Sequence, residues 1–359
     1  MSLLEATDRA PATSSAGWAW SRRPTLIALT LVTIVSVIVA IGLGPVGVAP
    51  PTVLRIIGHH IFGLFDAENW ARTDDAIIWE VRLPRVLLGA IVGSALGVVG
   101  VTLQAIVRNP LAEPYILGVS SGASTGAAAA ILFGIGSGLG AESVSLMAFF
   151  GALGALALVL ALARSTGRIT PSRMLVAGVA VSYLLSAVTS LLILFAHSAE
   201  GARAVMFWLL GSLANADWST LPIGYLGMGV GMVLVFWWRR RLDLLALGDE
   251  TAMASGVDPG RTRLLLVVVV ALCVGFAVSL SGGIGFVGLA APHIARRIVG
   301  PIHRHLIPAS AALGTLMLVW ADVAARMALQ PRELPIGVVT GVVGAPVLVA
   351  LVRKLNHSN

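Results

Sequence analysis

The sequence predicts an all-α polytopic membrane protein with about ten transmembrane helices and both termini in the cytoplasm. Three observations lead there. Of the 359 residues, 57% are hydrophobic and 11% charged, with a mean hydropathy of +0.92. A soluble domain carries about 25% charged residues, so a water-soluble globular enzyme is excluded. The apolar residues fall into stretches near the roughly 20 residues that cross a bilayer. The basic residues also segregate. With the N-terminus inside, 17 of the 24 Lys and Arg lie in cytoplasmic segments, as the positive-inside rule expects. The net charge of +7 thereby reports topology, and no nucleic-acid partner is implied.

Residues 1–23, rich in Ala, Ser, Thr and Pro, form a cytoplasmic flexible tail before a membrane domain at 24–355. The first span, 25–48, has no small-residue cleavage site after it and reads as an uncleaved anchor. Residues 52–84 form an outer loop, and 52–65 have the spacing of a helix lying on the lipid surface. Spans at 86–107, 115–134, 144–163, 174–196 and 219–238 follow. Residues 239–263 form the longest cytoplasmic loop. Within it, after Leu247 and Gly248, Asp249 and Glu250 suit the first turn of a short helix. Ala252, Met253 and Ala254 continue that helix, and Gly256 ends it. Such an element either docks in a groove of another protein or simply connects two spans. The last spans are 264–282, 286–298, 306–328 and 336–352. The short 286–298 stretch opens on Gly282, Gly283 and Gly285, as a helix broken inside the membrane would. Glycines recur every four residues at 89, 93 and 97, at 118, 122 and 126, and at 337 and 341, marking faces for close helix packing.

Reactive groups are sparse. The single cysteine, Cys273, excludes an internal disulfide and any multi-cysteine metal site. The only lysine, Lys354, precedes Leu355, so the chain holds no P-loop. No catalytic residue, metal or cofactor is expected, and ATP hydrolysis falls to a partner chain. Asp322 is the main ionisable group within a span, with Arg326 one turn on. It is either half of a structural ion pair or the proton-relay acid of an ion-gradient-driven secondary transporter. His59 and His60 are adjacent, about 100° apart on a helix, and read as a solvated interfacial pair rather than haem ligands. Arg82 and Arg85 bracket Pro84 at the mouth of a span, suited to carboxylates on a soluble partner or to lipid headgroups.

Several motifs stand in order: R-L-P-R at 82–85, Q-A-I-V-R-N-P-L-A-E-P-Y-I-L-G-V-S-S-G-A at 104–123, F-W-L-L-G-S-L at 207–213, L-G-D-E-T-A at 247–252, G-I-G-F-V-G-L-A-A-P-H-I-A-R at 283–296 and E-L-P-I-G-V-V-T-G-V-V-G-A-P at 333–346. Together they resemble the permease subunits of binding-protein-dependent ABC importers for iron–siderophores, haem and vitamin B12, over about residues 25–353. The resemblance implies a bacterial plasma or inner membrane location. It also implies a second permease subunit (the same or a related chain), two cytoplasmic ATP-binding subunits and an extracellular or periplasmic substrate-binding protein. By the same resemblance, Arg82, Arg85 and Arg326 look like docking arginines that meet glutamates on the binding protein. Leu247, Gly248, Asp249, Glu250, Ala252 and Gly256 look like the loop that couples to the ATPase. Pro171 and Ser172 look like the cytoplasmic gate, with Pro171 where a small polar residue is expected. A ferric siderophore is the first cargo implied, with haem or cobalamin as alternatives.

Overall fold

The computed structural model describes residues 22–64, 70–164 and 170–356. The expected tail lies outside the described residues up to position 21, as do the inside arginines Arg9 and Arg168. Among the described residues the fold is helical throughout, apart from one bridge between Leu329 and Arg332.

In order, α1 (Arg22–Gly42) leads to α2 (Pro50–Phe62) and α3 (Arg72–Asp75). A π-helical segment (Ala76–Arg82) then runs into α4 (Leu83–Val107). Next come α5 (Val119–Phe133), α6 (Ser143–Arg164), α7 (Pro171–Leu194), α8 (Ala199–Leu209) and α9 (Leu221–Trp237). The chain continues through α10 (Arg239–Leu247), α11 (Asp249–Ala254), α12 (Pro259–Ser281), α13 (Val287–Val299), α14 (His303–Met327) and α15 (Ile336–Asn356). Every stretch expected to span contains a helix, although the first, expected to reach 48, ends at Gly42. Among the described residues, six helical runs are long and apolar enough to cross a membrane alone, and α9 with α10 makes a seventh if their 59° bend is counted as one span. At 15 and 13 residues, α5 and α13 reach only about 20 Å at 1.5 Å per residue, short of the ~30 Å hydrocarbon core.

The bundle is organised around α4, buried along nearly its whole length and packed on α14, α13, α12 and α9. It is apolar on every face, as a helix enclosed on all sides must be. The glycine spacing is used there. A Cβ at Gly93, Gly97 or Gly100 would strike the backbone of Gly314, Ser310 or Gly288 respectively. Gly122 and Gly126 meet Gly151 and Met147 of α6 in the same way. Gly118 is different: it precedes α5 in the left-handed region at φ 72°. Gly341 makes only an ordinary contact with Phe286.

One expectation for the connections changes. Residues 239–263 are not a loop but α10, α11 and the start of α12. The run R-R-R-L-D-L-L-A-L is amphipathic, and Leu242 and Leu245 are fully buried while Arg241 faces out; its charge masked a packed helix. The outer loop at 52–84 holds α2 where a helix was expected at 52–65, together with α3 and the π-helical segment. His60 is exposed, as expected of a solvated interfacial residue, and it also stacks on Trp79 at 4.2 Å and lies 3.1 Å from both Asp75 carboxylate oxygens.

Candidate functional site

Charged groups gather at two opposite ends of α4. At its start, Arg82 closes the π-helical segment, Arg85 lies in the first turn of α4, and Arg326 lies in the last turn of α14. The structure brings these three arginines together, but their side chains turn inward and are 4%, 6% and 3% exposed. Arg85 Nε donates to Asp322 at 2.8 Å, and its Nη1 pairs with Glu333 at 2.9 Å. Arg326 Nε meets the other Asp322 oxygen at 3.0 Å. Arg82 instead donates to the carbonyls of Gly42 (3.1 Å) and Val46. As docking groups the three are therefore not presented on the surface. A cation in an apolar interior needs local acceptors, and this chain supplies them.

Beside this cluster lies a cavity of about 690 Å³ bounded by α8, the 211–217 turn, the end of α12 and the 333–335 segment. Its polar lining includes Glu142, Ser212, Asn215, Asp217, Ser281 and Glu333, and among the described residues no basic one. Asp217 Oδ1 accepts from Ser219 Oγ at 2.7 Å and from the Ser219 and Thr220 amides at 2.9 and 2.8 Å. The Ser219 hydroxyl, then the Thr220 amide, hold its carboxyl below the usual aspartate range.

At the other end of α4, Asp249 Oδ1 accepts from Arg263 Nη2 at 2.9 Å and lies 3.3 Å from Arg108 Nη2. Arg263 is buried, and its Nε also donates to the Ile106 carbonyl at 3.3 Å. One carboxylate thus ties α11 to both α4 and α12. Leu247, Glu250, Met253 and Ala254 face solvent, whereas Ala252 is fully buried and supports the helix from beneath. Gly248 (φ 123°) and Gly256 (φ 78°) bracket α11 in backbone conformations that glycine adopts without strain. A groove of about 710 Å³ borders α11, with Asp249, Met253, Gly256, Arg263 and Thr170 on its walls. Thr170 caps α7 and lies 3.3 Å from the Ser172 hydroxyl. Pro171 and Ser172, expected at the gate, therefore begin α7 beside the groove that borders α11.

Between the two ends lies a contact that sequence inspection missed. Glu113 accepts from the Phe286 amide at 2.7 Å, and the Tyr115 hydroxyl accepts from the Ile284 amide at 2.7 Å while donating back to the Ile284 carbonyl. These side chains satisfy the donors freed by the α12–α13 break, where Phe286 holds an uncommon left-handed φ of 67°. An acidic residue beside a proline within an apolar run was the available signal. Glu333, likewise unremarked in the sequence, emerges only through its pairing with Arg85.

Residues 31–354 match the FecCD transport family. The chain belongs to that family. Relatives include the cobalamin import system permease BtuC of Halobacterium salinarum, 41% identical over 78% of this chain and 74% of that one. The iron(3+)-hydroxamate import permease FhuB of Bacillus subtilis is 38% identical over 79% and 73%. The Fe(3+)-citrate import permease YfmD of Bacillus subtilis is 37% identical over 78% and 82%. A solved metal-chelate-type ABC transporter in an inward-facing conformation superposes with a TM-score of 0.79 at 30% identity, covering 92% of this chain and 99% of that one. As a FecCD member this chain is a permease subunit of an ABC importer and an integral protein of the cell membrane.

Proposed function

We propose that this FecCD permease forms half of the pathway of an importer for ferric siderophores of neutral or cationic type, hydroxamates above all. It crosses the membrane ten times with both ends inside. It pairs with a second copy or a related permease, receives cargo from a binding protein at the arginine end, and is driven by two ATP-binding subunits at the α11 end. The observation that carries this reading is the mechanical continuity of α4. Its first turn holds Arg85, and its last turn and C-cap grip Arg263 and, through Arg108, Asp249. A shift of α11 driven by nucleotide-dependent closure of the ATPases then moves the far end as a rigid body, with ATP's differential affinity for the two arrangements as the energy source.

The cavity lining supports the cargo class. Glu142 and Asp217 would repel a polyanionic complex such as ferric citrate but accept a neutral or cationic chelate. Cobalamin is the second reading, favoured by the name of the 41%-identical relative. The ion-gradient alternative needs Asp322 to exchange protons, yet it is held between two arginines. The test is uptake of labelled ferric hydroxamate and cobalamin in cells lacking this permease and in cells restored with it or with Glu250→Arg. Uptake is expected to require the permease and to fail with Glu250→Arg while ATP hydrolysis continues. Uptake in cells lacking it, or normal uptake through Glu250→Arg, overturns the assignment.

A further inference from the structure

The docking reading leaves open which arginine a partner can reach, and the geometry separates the three. Arg82 serves the carbonyls of Ile41, Gly42 and Val46. Arg326 serves those of Leu43 (3.1 Å) and Ala40 (3.4 Å) as well as Asp322. Both fasten the connection after α1, and turning either outward would strip a donor from a buried carbonyl, that of Ile41 or Ala40, which is costly. Arg85 is built differently. One edge of its guanidinium fork is fixed by Asp322, whose side chain is 2% exposed; the other edge meets Glu333, whose side chain is 45% exposed. A planar fork can hold one carboxylate on each edge, so the second can be exchanged without disturbing the first.

We propose that Glu333 is an internal stand-in for a carboxylate of the binding protein. On docking, an acidic side chain of that protein takes over Arg85 Nη1 and Glu333 is displaced. The exchange replaces one carboxylate by another, so Arg85 stays neutralised throughout. What changes is the segment that carries Glu333. Leu334 and Pro335 wall the cavity. The Leu334 amide donates to the Ala325 carbonyl at 3.0 Å, and the Ile336 and Gly337 amides donate to the carbonyls of Gly211 and Leu210 at 3.2 and 2.9 Å. Releasing Glu333 removes the side-chain tether at the start of this seam, where α15 begins. The surface is thus a docking site and also the catch of the cavity wall, and its partner is an acidic side chain on a soluble protein.

The inference rests on the docking reading, and the experiment separates the two. The complete importer in lipid nanodiscs is titrated at low salt with its companion binding protein purified with cargo bound. A half-exposed ion pair contributes about 0.2–1 kcal/mol, so removing the internal competitor with Glu333→Gln is expected to tighten docking by about 1.4- to 5-fold. Glu333→Asp, which keeps the charge, should stay near the original affinity. Arg85→Gln is expected to weaken docking at least ~10-fold. A nitroxide at Leu334→Cys should be immobile in the free importer, mobile once the binding protein docks, and already mobile in Glu333→Gln. Docking that is unchanged or weaker in Glu333→Gln, with Arg85→Gln impaired, overturns the stand-in role and leaves the docking reading intact. Docking that is unaffected by Arg85→Gln overturns both.

Discussion

Asp322→Asn is the most informative single substitution. Asp322 is 1% exposed and is, among the described residues, the one buried carboxylate facing Arg85 and Arg326, themselves buried. With asparagine in its place, Glu333 is the acidic partner left to Arg85, and Arg326 keeps only backbone carbonyls. Breaking a buried ion pair from one side typically costs about 3–5 kcal/mol, because a charge stays behind without its partner. At ~2 °C per kcal/mol, the low end of the range for larger proteins, the midpoint for thermal unfolding in detergent should fall by about 6–10 °C. Removing one charge of each sign, with Asp322→Leu and Arg326→Met together, should recover much of that loss and of uptake. A proton-relay acid behaves oppositely: Asp322→Asn would unfold like the parent yet not transport, and the double variant would not restore uptake. Unfolding within about 2 °C of the parent would refute the structural role argued for this carboxylate.

Other outcomes follow from the same contacts. Asp249→Ala unties α11 from α4 and α12; ATP turnover should persist while uptake per ATP falls several-fold, measured in proteoliposomes. Gly97→Ala forces a methyl group into the Ser310 backbone on α14, and overpacking of this kind costs about 1–3 kcal/mol, readable as a lowered unfolding midpoint. Asp217 carries a lowered carboxyl pKa, so its contribution to stability is complete above the ordinary aspartate value. That contribution disappears as pH drops through the lower, folded value. The stability gap between the parent and Asp217→Asn should therefore close in acid, and a gap that widens there would contradict the assignment.

The helices were legible because hydropathy reports how a segment meets lipid, and α11 was legible because Asp249, Glu250 and Gly256 are strong local start and stop signals. The break before α13 was announced by its glycines. Local signals failed where charge and burial coincide. R-R-R-L-D-L-L-A-L was read as part of a cytoplasmic loop, although Leu242 and Leu245 give it a buried face. Ala252 was taken for a surface contact, although the turn of α11 points it inward. The arginines at 82, 85 and 326 were placed at the rim, since a sequence does not reveal that acceptors 40 or 237 residues away close over them.

By itself, then, the chain's composition and spacing determined an all-helical membrane protein, and its ordered motifs carried the resemblance to ABC importer permeases. Those properties depend on solvent preference and short-range periodicity, which neighbouring residues decide. Only the tertiary structure decided that Asp322 and Glu333 share Arg85, that Asp249 locks α11 to two spanning helices, and that Glu113 and Tyr115 hold the broken helix. Each is a pairing between distant segments, and the strength of a charge in an apolar interior is set by what the fold places within about 3 Å of it.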